Sequence, residues 1–260
     1  MATETKDNIP LIPVVGGLVP FTTIDFPKKI SCVVFLQGCP WRCTYCYNPH
    51  LFQSRAPSER DAANWEYVLD LLRKRTKALE AVVFSGGEAT SQPEPLAGAI
   101  AQIHEISPDY KIGLHTNGCN PENLKRLLPL IDWIGLDIKA PSDRYDQLTR
   151  SENSGKNARD SLNLIIESGK DFEVRTTCDP RHLDKNAIIE LATELASLGV
   201  KNYALQRFRP TPPKEREREN QRDPGIKPNT PTQAEIMQFF ADPDFEAKLK
   251  SLIPNVILRW

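Results

Sequence analysis

Three cysteines fall close together in the segment GCPWRCTYC, at Cys39, Cys43 and Cys46. A C-x3-C-x2-C spacing on one loop allows three thiolates to turn towards a common centre. Thiolates are favoured ligands of zinc and of iron–sulfur clusters. A four-iron cluster held by three cysteines keeps one iron without a protein ligand, and that iron can chelate a small molecule.

A structural zinc site is the alternative that this spacing leaves open. His50 follows Cys46 at a spacing that zinc sites use, so it could complete a set of four ligands with the three cysteines. The other three cysteines are isolated in the sequence. We expect Cys32, Cys119 and Cys178 to be small buried side chains rather than ligands.

Composition and charge narrow the class of protein. The chain has 260 residues, with 33 basic and 34 acidic side chains and a net charge of −1, which argues against bulk binding to nucleic acid or to an anionic membrane. No apolar run approaches the roughly 20 residues of a membrane-spanning helix, and the polar N-terminus lacks the apolar core of a signal peptide. We therefore expect a cytoplasmic protein, whose clustered thiols bind a metal or do redox chemistry.

The elements that must position these cysteines alternate between strand and helix. Short β-branched and apolar runs recur at about 30-residue intervals, which is typical of right-handed βαβ units and a parallel sheet. Only 54 residues follow Gln206, so a complete eight-unit barrel does not fit. The six predicted strands are 30–37, 81–85, 111–116, 132–138, 172–177 and 202–206.

Four regions are predicted along the chain. Residues 1–29 form an N-terminal arm and residues 30–209 the α/β domain. Residues 210–231 contain six prolines and a run of mixed charge, which is typical of a mobile linker. Residues 232–260 form a C-terminal helical segment, which begins with a capping box at Thr232 and Glu235.

Polar and charged residues follow each predicted strand. Parallel α/β folds bind ligands at the carboxyl ends of their strands, so these residues are expected to lie along one edge of the sheet. After the cysteine loop, the successive strand ends carry Gly86-Gly87-Glu88, His115-Thr116-Asn117, Asp137-Ile138-Lys139, Arg175-Thr176-Thr177 and Gln206-Arg207-Phe208-Arg209.

Each of these features also has a purely structural interpretation. Two glycines can bring the backbone close to a ligand, with the carboxylate of Glu88 binding an ammonium, or they can simply fit a tight turn. Asp137 and Lys139 point the same way from one strand. They could be a structural ion pair, or Lys139 could bind a ligand carboxylate.

The cysteine spacing, with Tyr45 before the last cysteine, and the Gly86-Gly87-Glu88 turn together resemble the signature of the radical S-adenosylmethionine (radical SAM) superfamily. The resemblance implies a partial (β/α)6 TIM-like barrel with parallel strands. It also implies a 4Fe–4S cluster on Cys39, Cys43 and Cys46, whose free iron chelates S-adenosylmethionine. One electron from the cluster then cleaves the sulfonium to give methionine and a 5′-deoxyadenosyl radical.

The resemblance assigns cofactor-binding roles residue by residue. Gly86, Gly87 and Glu88 would contact the methionine amine, and Lys139 its carboxylate. The full implied set is Tyr45, Gly86, Gly87, Glu88, Thr116, Asn117, Asp137, Lys139 and Arg175. Related activases also bind a monovalent cation through an aspartate just before the threonine. This chain has His115 there, and it has Tyr47 where many relatives have histidine.

Within the superfamily, the stretch GGLVPFTTIDFPKKISCVVFLQGCPWRCTYCYNPHL is similar to activating enzymes of glycyl radical proteins. It is most similar to those that activate anaerobic ribonucleoside-triphosphate reductase. The implied partners are that reductase and an electron donor of the flavodoxin or ferredoxin type. A radical SAM enzyme that acts on a small molecule or a tRNA base would need the same cofactor motifs and is the open alternative.

Overall fold

The computed structural model describes residues 11–210 and 231–259, which form an α/β fold. The strands are β1 Val15–Thr22, β2 Ser31–Leu36, β3 Ala81–Gly86, β4 Lys111–Thr116, β5 Trp133–Asp137, β6 Asp171–Cys178, β7 Asn202–Arg207 and β8 Asn255–Arg259. The helices are α1 Glu59–Lys74, α2 Pro93–Ile106, α3 Pro121–Leu127, α4 Tyr145–Thr149, α5 Ser154–Ser168, α6 Lys185–Ser197, α7 Gln233–Met237 and α8 Pro243–Leu252.

The strands follow the chain order β1 to β8 in the sheet. β1 pairs antiparallel with β2, whereas β2 with β3, β3 with β4, β6 with β7 and β7 with β8 pair in parallel. The prediction of an α/β fold with a mostly parallel sheet is therefore confirmed. The six predicted strands are β2 to β7, and each observed end lies within one residue of the predicted end.

Two strands were not predicted. β1 lies in the predicted N-terminal arm, where a glycine pair, a proline and register shifts at both ends disturb the alternation of apolar and polar residues. β8 lies in the predicted C-terminal segment, after helices α7 and α8, so that segment is not wholly helical. Residues 211–230 of the predicted linker lie outside the described residues. No helix in the described part of the chain is long and apolar enough to cross a membrane.

The chain divides into two compact units. The first contains the residues up to Cys39, His50–His115 and Glu122–Trp133. Its strands β2 and β3 are almost completely buried because helices cover apolar runs such as CVVF and AVVF. A cluster of buried side chains fills one face of its sheet, formed by Phe26, Val33, Ala81, Val83 and Trp133.

The second unit contains Pro40–Pro49, Thr116–Pro121 and the residues from Ile134 onwards. Its strands β6 and β7 carry buried side chains such as Val174, Tyr203 and Leu205. Helix α7 begins with the predicted capping box, in which Thr232 and Glu235 bond each other's backbone. Asp242 is the N-cap residue of helix α8, and its carboxylate accepts from two backbone N–H groups of the first turn.

A buried carboxylate fixes the start of helix α1 in the first unit. Ser58 is the N-cap residue, and Asp61 completes a capping box with it. The Arg55 guanidinium donates to both carboxylate oxygens of Asp61, at 2.5 and 2.8 Å. The hydrogen bonds from Arg55, followed by those from Ser58, outweigh the effect of burial and lower the pKa of Asp61 from 3.8 to about 2.

The Asp61→Asn variant is expected to be less stable by about 2 kcal/mol near neutral pH, since the lowered pKa of Asp61 measures how strongly folding favours its charged form. This contribution is fully present above about pH 4 and is lost as the pH falls through about 2. Urea unfolding at several pH values would measure both effects. Asp70→Asn removes only an exposed pair with Lys74 and is the matched control. Equal losses in the two variants would contradict the prediction.

Candidate functional site

In the first unit, the start of the cysteine loop lies beside the glycine turn. The parallel pairing of β2 with β3 places Leu36 opposite Gly86, so Gly87 and the residues after Leu36 meet at one edge. The Gly87 N–H donates to the Leu36 carbonyl at 2.9 Å, and the Glu88 N–H donates to the Gly38 carbonyl at 2.8 Å. The structure thus brings together two of the predicted strand-end features through backbone hydrogen bonds.

Both glycines of this turn are required by close packing. Gly86 has a φ of +131°, and a Cβ there would lie 2.2 Å from the carbonyl oxygen of Leu36. A Cβ on Gly87 would lie 2.4 Å from the carbonyl oxygen of Gly38. The structural interpretation of the glycines therefore holds, and their backbone is fixed directly beside the residue that precedes Cys39.

The Glu88 side chain is buried and bonds within its own turn. Its Oε1 accepts from the Thr90 N–H at 3.0 Å and from the Thr90 hydroxyl at 2.8 Å. The carboxylate thus caps the short 3-10 turn that follows. Sequence reasoning had considered this carboxylate as a ligand for an ammonium and had missed the capping role, which the hydroxyl two residues later could have indicated.

Several backbone contacts anchor the first cysteine. The Gly38 N–H donates to the Leu51 carbonyl at 2.8 Å, and the Cys39 N–H donates to the Phe52 carbonyl at 3.1 Å. The carbonyl of His50 accepts from the Gln37 side chain at 3.2 Å, and His50 itself is exposed. Among the described residues, no three His, Cys, Asp or Glu side chains are grouped to hold a single metal ion.

The other two cysteines belong to the second unit. Cys43 is buried and Cys46 half-buried, and all six cysteines of the chain are thiols rather than halves of disulfides. The Cys46 N–H donates to the Cys43 carbonyl at 3.1 Å, and the Asn48 N–H points at the Cys46 sulfur at 3.4 Å. Hydrogen bonds to cysteine sulfur are among the contacts that tune iron–sulfur clusters. The local geometry therefore suits a sulfur ligand at Cys46.

Lys139, Asp137 and Tyr45 meet beside Cys43. The buried Lys139 ammonium lies 3.3 Å from Asp137 Oδ2 and 5.7 Å from the centre of the Tyr45 ring. Burial lowers the pKa of Lys139, but the charges of Tyr45, Asp137, Cys43 and Tyr145 together raise it well above its ordinary value. Burial raises the pKa of the Cys43 thiol, and Lys139 opposes this rise. The structure thus brings three predicted cofactor residues together around a buried cation.

The Tyr45 hydroxyl supplies an independent indication of a ligand. Its oxygen is buried and has no hydrogen-bond partner among the described residues. A buried hydroxyl without a partner costs free energy, so it normally marks a position where another group completes the bond. A ligand carrying a carboxylate would satisfy both the hydroxyl and the ammonium of Lys139. These residues therefore fit a ligand that carries a carboxylate, bound beside Cys43.

Thr116 and Asn117 shape the turn after β4. The Thr116 hydroxyl accepts from the Gly118 N–H at 3.0 Å, and the Asn117 side-chain oxygen accepts from the Cys119 N–H at 2.9 Å. Both side chains are buried. These two hydrogen bonds stabilise the turn, so any cofactor contact would be made in addition to this structural role.

Arg175 takes part in a buried ion network in the middle of β6. Its Nε donates to Glu173 at 3.0 Å, and its guanidinium lies against Gly135, where a Cβ would come within 2.6 Å. Arg259 of β8 also donates to both carboxylate oxygens of Glu173, at 2.7 and 2.8 Å. Sequence reasoning missed Glu173 and Arg259. Glu173 and Arg175 are two residues apart and so lie on the same face of the strand, which could have indicated their ion pair. No such spacing indicates the pairing of Glu173 with Arg259.

His115 packs within the first unit. Its Nε2 lies 3.0 Å from the Asp25 carbonyl oxygen, and its ring contacts Trp133 edge-on with centroids 5.8 Å apart. This residue thus has a structural role that an aspartate could not reproduce.

Comparison with known proteins now identifies the family. The model of the radical SAM superfamily matches residues 33–180, which is more than half of the chain. A candidate glycyl-radical enzyme activating enzyme of Methanocaldococcus jannaschii is 31% identical over 75% of this chain and 80% of its own length. The pyruvate formate-lyase-activating enzyme of Clostridium pasteurianum is 32% identical over 56% of this chain. The match covers only 59% of the length of that enzyme.

A solved structure agrees with the fold. A radical SAM methyltransferase from Sphaerobacter thermophilus superposes with a TM-score of 0.65 at 20% identity, over 90% of this chain and 67% of its own. At this identity the similarity concerns the fold alone. Members of the matched family use a 4Fe–4S cluster together with S-adenosylmethionine. Within the second unit, the buried Lys139 ammonium and the Tyr45 hydroxyl fit the carboxylate of that cofactor. The chain belongs to the radical SAM superfamily.

Proposed function

We propose that this protein is a radical SAM activase that installs a glycyl radical on a partner enzyme. The observation that carries the proposal is the buried Lys139 ammonium beside Cys43 and the unsatisfied hydroxyl of Tyr45. A cysteine ligand next to an anion-binding group is what chelation of an amino acid by an iron–sulfur cluster requires. The similarity to the archaeal protein supports the choice of an activase within the superfamily.

The cluster would be held by Cys39, Cys43 and Cys46. When bound, it supplies the electron that splits S-adenosylmethionine into methionine and a 5′-deoxyadenosyl radical. Lys139 would bind the methionine carboxylate by a charge-assisted hydrogen bond, and the Tyr45 hydroxyl would donate to the same end of the ligand. The backbone of Gly86, Gly87 and Glu88 would bind the amine.

The remaining proposed contacts have supporting roles. Asp137 pairs with Lys139 and so orients its ammonium. Thr116 and Asn117 would approach the cofactor from the turn after β4, and Arg175 would approach it from β6. The ion pair with Glu173 restrains the Arg175 side chain. A carbon radical reacts with water-borne species and with oxygen, so turnover needs a dry site. The burial of Tyr45 and Lys139 is consistent with that need.

The partner that we propose is anaerobic ribonucleoside-triphosphate reductase, supported by the similarity of the stretch around the cysteines to activases of that enzyme. The electron donor would be a flavodoxin or a ferredoxin, and the compartment a reducing cytoplasm. The relatives that are named pyruvate formate-lyase-activating enzymes indicate the competing partner. The two partners can be separated directly.

The test is radical transfer in an anaerobic mixture. The reconstituted chain, a reductant and S-adenosylmethionine are combined with either anaerobic ribonucleotide reductase or pyruvate formate-lyase, and electron paramagnetic resonance is recorded. We expect a glycyl radical on the reductase only, and none when S-adenosylmethionine is omitted. A signal on pyruvate formate-lyase alone would refute the proposed partner. Release of 5′-deoxyadenosine with no radical on either protein would refute the activase and favour a small-molecule or tRNA substrate.

A further inference from the structure

An aromatic contact holds the downstream end of the cysteine loop. Tyr47 directly follows Cys46, and its ring stacks on Phe208 with centroids 6.3 Å apart and an interplanar angle of 28°. The Tyr47 hydroxyl accepts from the backbone N–H of Arg209 at 2.9 Å. Phe208 and Arg209 follow the carboxyl end of β7. The backbone next to Cys46 is therefore tied to the end of a strand by a stacked ring and a hydrogen bond.

Phe208 is itself held in place from a second direction. Its ring is buried, and the Arg181 guanidinium carbon lies 4.9 Å from the ring centre. Arg181 forms a two-pronged ion pair with Asp179, with Nε to Oδ1 at 2.9 Å and Nη2 to Oδ2 at 2.6 Å. Asp179 is fully buried. Because a buried carboxylate holds the guanidinium in a fixed plane, the platform under Tyr47 has little freedom to move.

The upstream side of Cys46 is fixed by the same region. The Thr44 hydroxyl lies 2.7 Å from Nε2 of His182, which belongs to the segment between β6 and α6. The Thr44 N–H donates to the carbonyl of Leu148 at 3.1 Å. The residues on both sides of Cys46 are thus bound to segments that follow strands of the second unit, whereas Tyr47 itself is 46% exposed. An exposed aromatic ring with two specific contacts calls for an explanation beyond burial.

We propose that Tyr47 is a positioning residue that holds Cys46 in place for cluster binding. We call Tyr47, Phe208 and the Arg209 N–H the Tyr47 clamp. This inference rests on the proposed assignment of Cys46 as a cluster ligand. Tyr47 needs no contact with the cluster itself. Tyr47 limits the motion of the backbone around Cys46, and such motion would let the Cys46 thiolate dissociate from iron. Removing the Tyr47 side chain therefore exposes the cluster to competing ligands.

The test measures how fast a chelator removes iron from the reconstituted full chain under anaerobic conditions, followed by the loss of visible absorption. Tyr47→Ala removes both contacts of the clamp, and we expect iron to be lost about tenfold faster. Tyr47→Phe keeps the stacked ring and loses only the hydrogen bond, so we expect an effect of about threefold. Tyr67→Ala removes an exposed tyrosine of helix α1 and is the matched control, with no expected change.

Two further measurements separate positioning from general stability. The electron paramagnetic resonance spectrum of the reduced cluster should change in Tyr47→Ala and stay unchanged in Tyr67→Ala. The thermal unfolding midpoint of Tyr47→Phe should match that of the unmodified chain. A variant that merely weakened the fold would lower the midpoint and leave the spectrum unchanged, and that result would overturn the inference.

The remaining outcomes are also decisive. Equal iron loss from the unmodified chain, Tyr47→Ala and Tyr67→Ala would refute the clamp while leaving the cluster assignment intact. Failure of the unmodified chain to take up a cluster would refute the cysteine assignment instead. If Tyr47→Ala does not fold, Tyr47→Phe and Phe208→Leu provide the same comparison, and unchanged rates in both would refute the clamp.

Discussion

The Cys43→Ala variant is expected to be isolated without iron and without the brown colour of an iron–sulfur protein, even after anaerobic reconstitution. Only three cysteines occur in the loop, so removing one leaves two thiolates for four irons. Loss of an outer-shell partner alone commonly weakens metal binding 10- to 100-fold, so loss of a ligand should reduce S-adenosylmethionine cleavage by more than about 100-fold. Iron analysis and release of 5′-deoxyadenosine measure the two effects.

Cys178→Ala is the matched control for this experiment. Cys178 is fully buried in β6, and burial raises the pKa of its thiol far above the ordinary value, which is typical of an inert structural cysteine. This variant should retain the cluster and its activity, with a modest loss of stability. If Cys43→Ala retained S-adenosylmethionine cleavage, the assignment of the cysteine loop as the cluster site would be wrong.

The second large effect is expected at Lys139. Replacing it by methionine keeps most of the side-chain volume and removes the charge, so the cluster should form normally while the affinity for S-adenosylmethionine falls. A hydrogen bond between charged groups contributes about 1.5–3 kcal/mol, which corresponds to about 10- to 100-fold weaker binding. Equilibrium binding to the reconstituted protein would measure the change. The raised pKa of Lys139 indicates that the ammonium is charged in the unmodified protein.

Lys125→Met removes an exposed lysine of helix α3 and should leave the affinity unchanged. Unaltered affinity in Lys139→Met, with the cluster intact, would show that Lys139 forms only a structural ion pair with Asp137. Loss of the cluster together with the affinity would instead show that Lys139 supports the cysteine loop. Each of these outcomes contradicts the proposed role in a different way.

The sequence was most informative where local pattern and fold agree. Runs such as CVVF and AVVF are continuous and apolar because parallel strands are buried on both faces, so β2 and β3 could be located closely. The positions of Gly86 and Lys139 at strand ends followed from the strands themselves. The candidate site could therefore be outlined once the strands had been assigned.

Other features depend on contacts between residues far apart in the sequence. β1 is irregular and gains its strand form from pairing with β2, which no local pattern indicates. The bond from Arg259 to Glu173 joins residues 86 positions apart, and the contact of Tyr47 with Arg209 spans 162. Pairs at such distances cannot be predicted from periodicity, because their partners are determined by the fold as a whole.

The close approach at Gly86 and Gly87 affects how mutational scans of this protein should be interpreted. A methyl group at either position would collide with backbone oxygen atoms, which cannot rotate away as side chains can. Alanine substitution would therefore lower expression and solubility before any change in ligand affinity could be seen. A scan would classify both positions as folding determinants, even if their main-chain groups bind the cofactor. Replacing single peptide bonds by esters would probe that contribution without adding bulk.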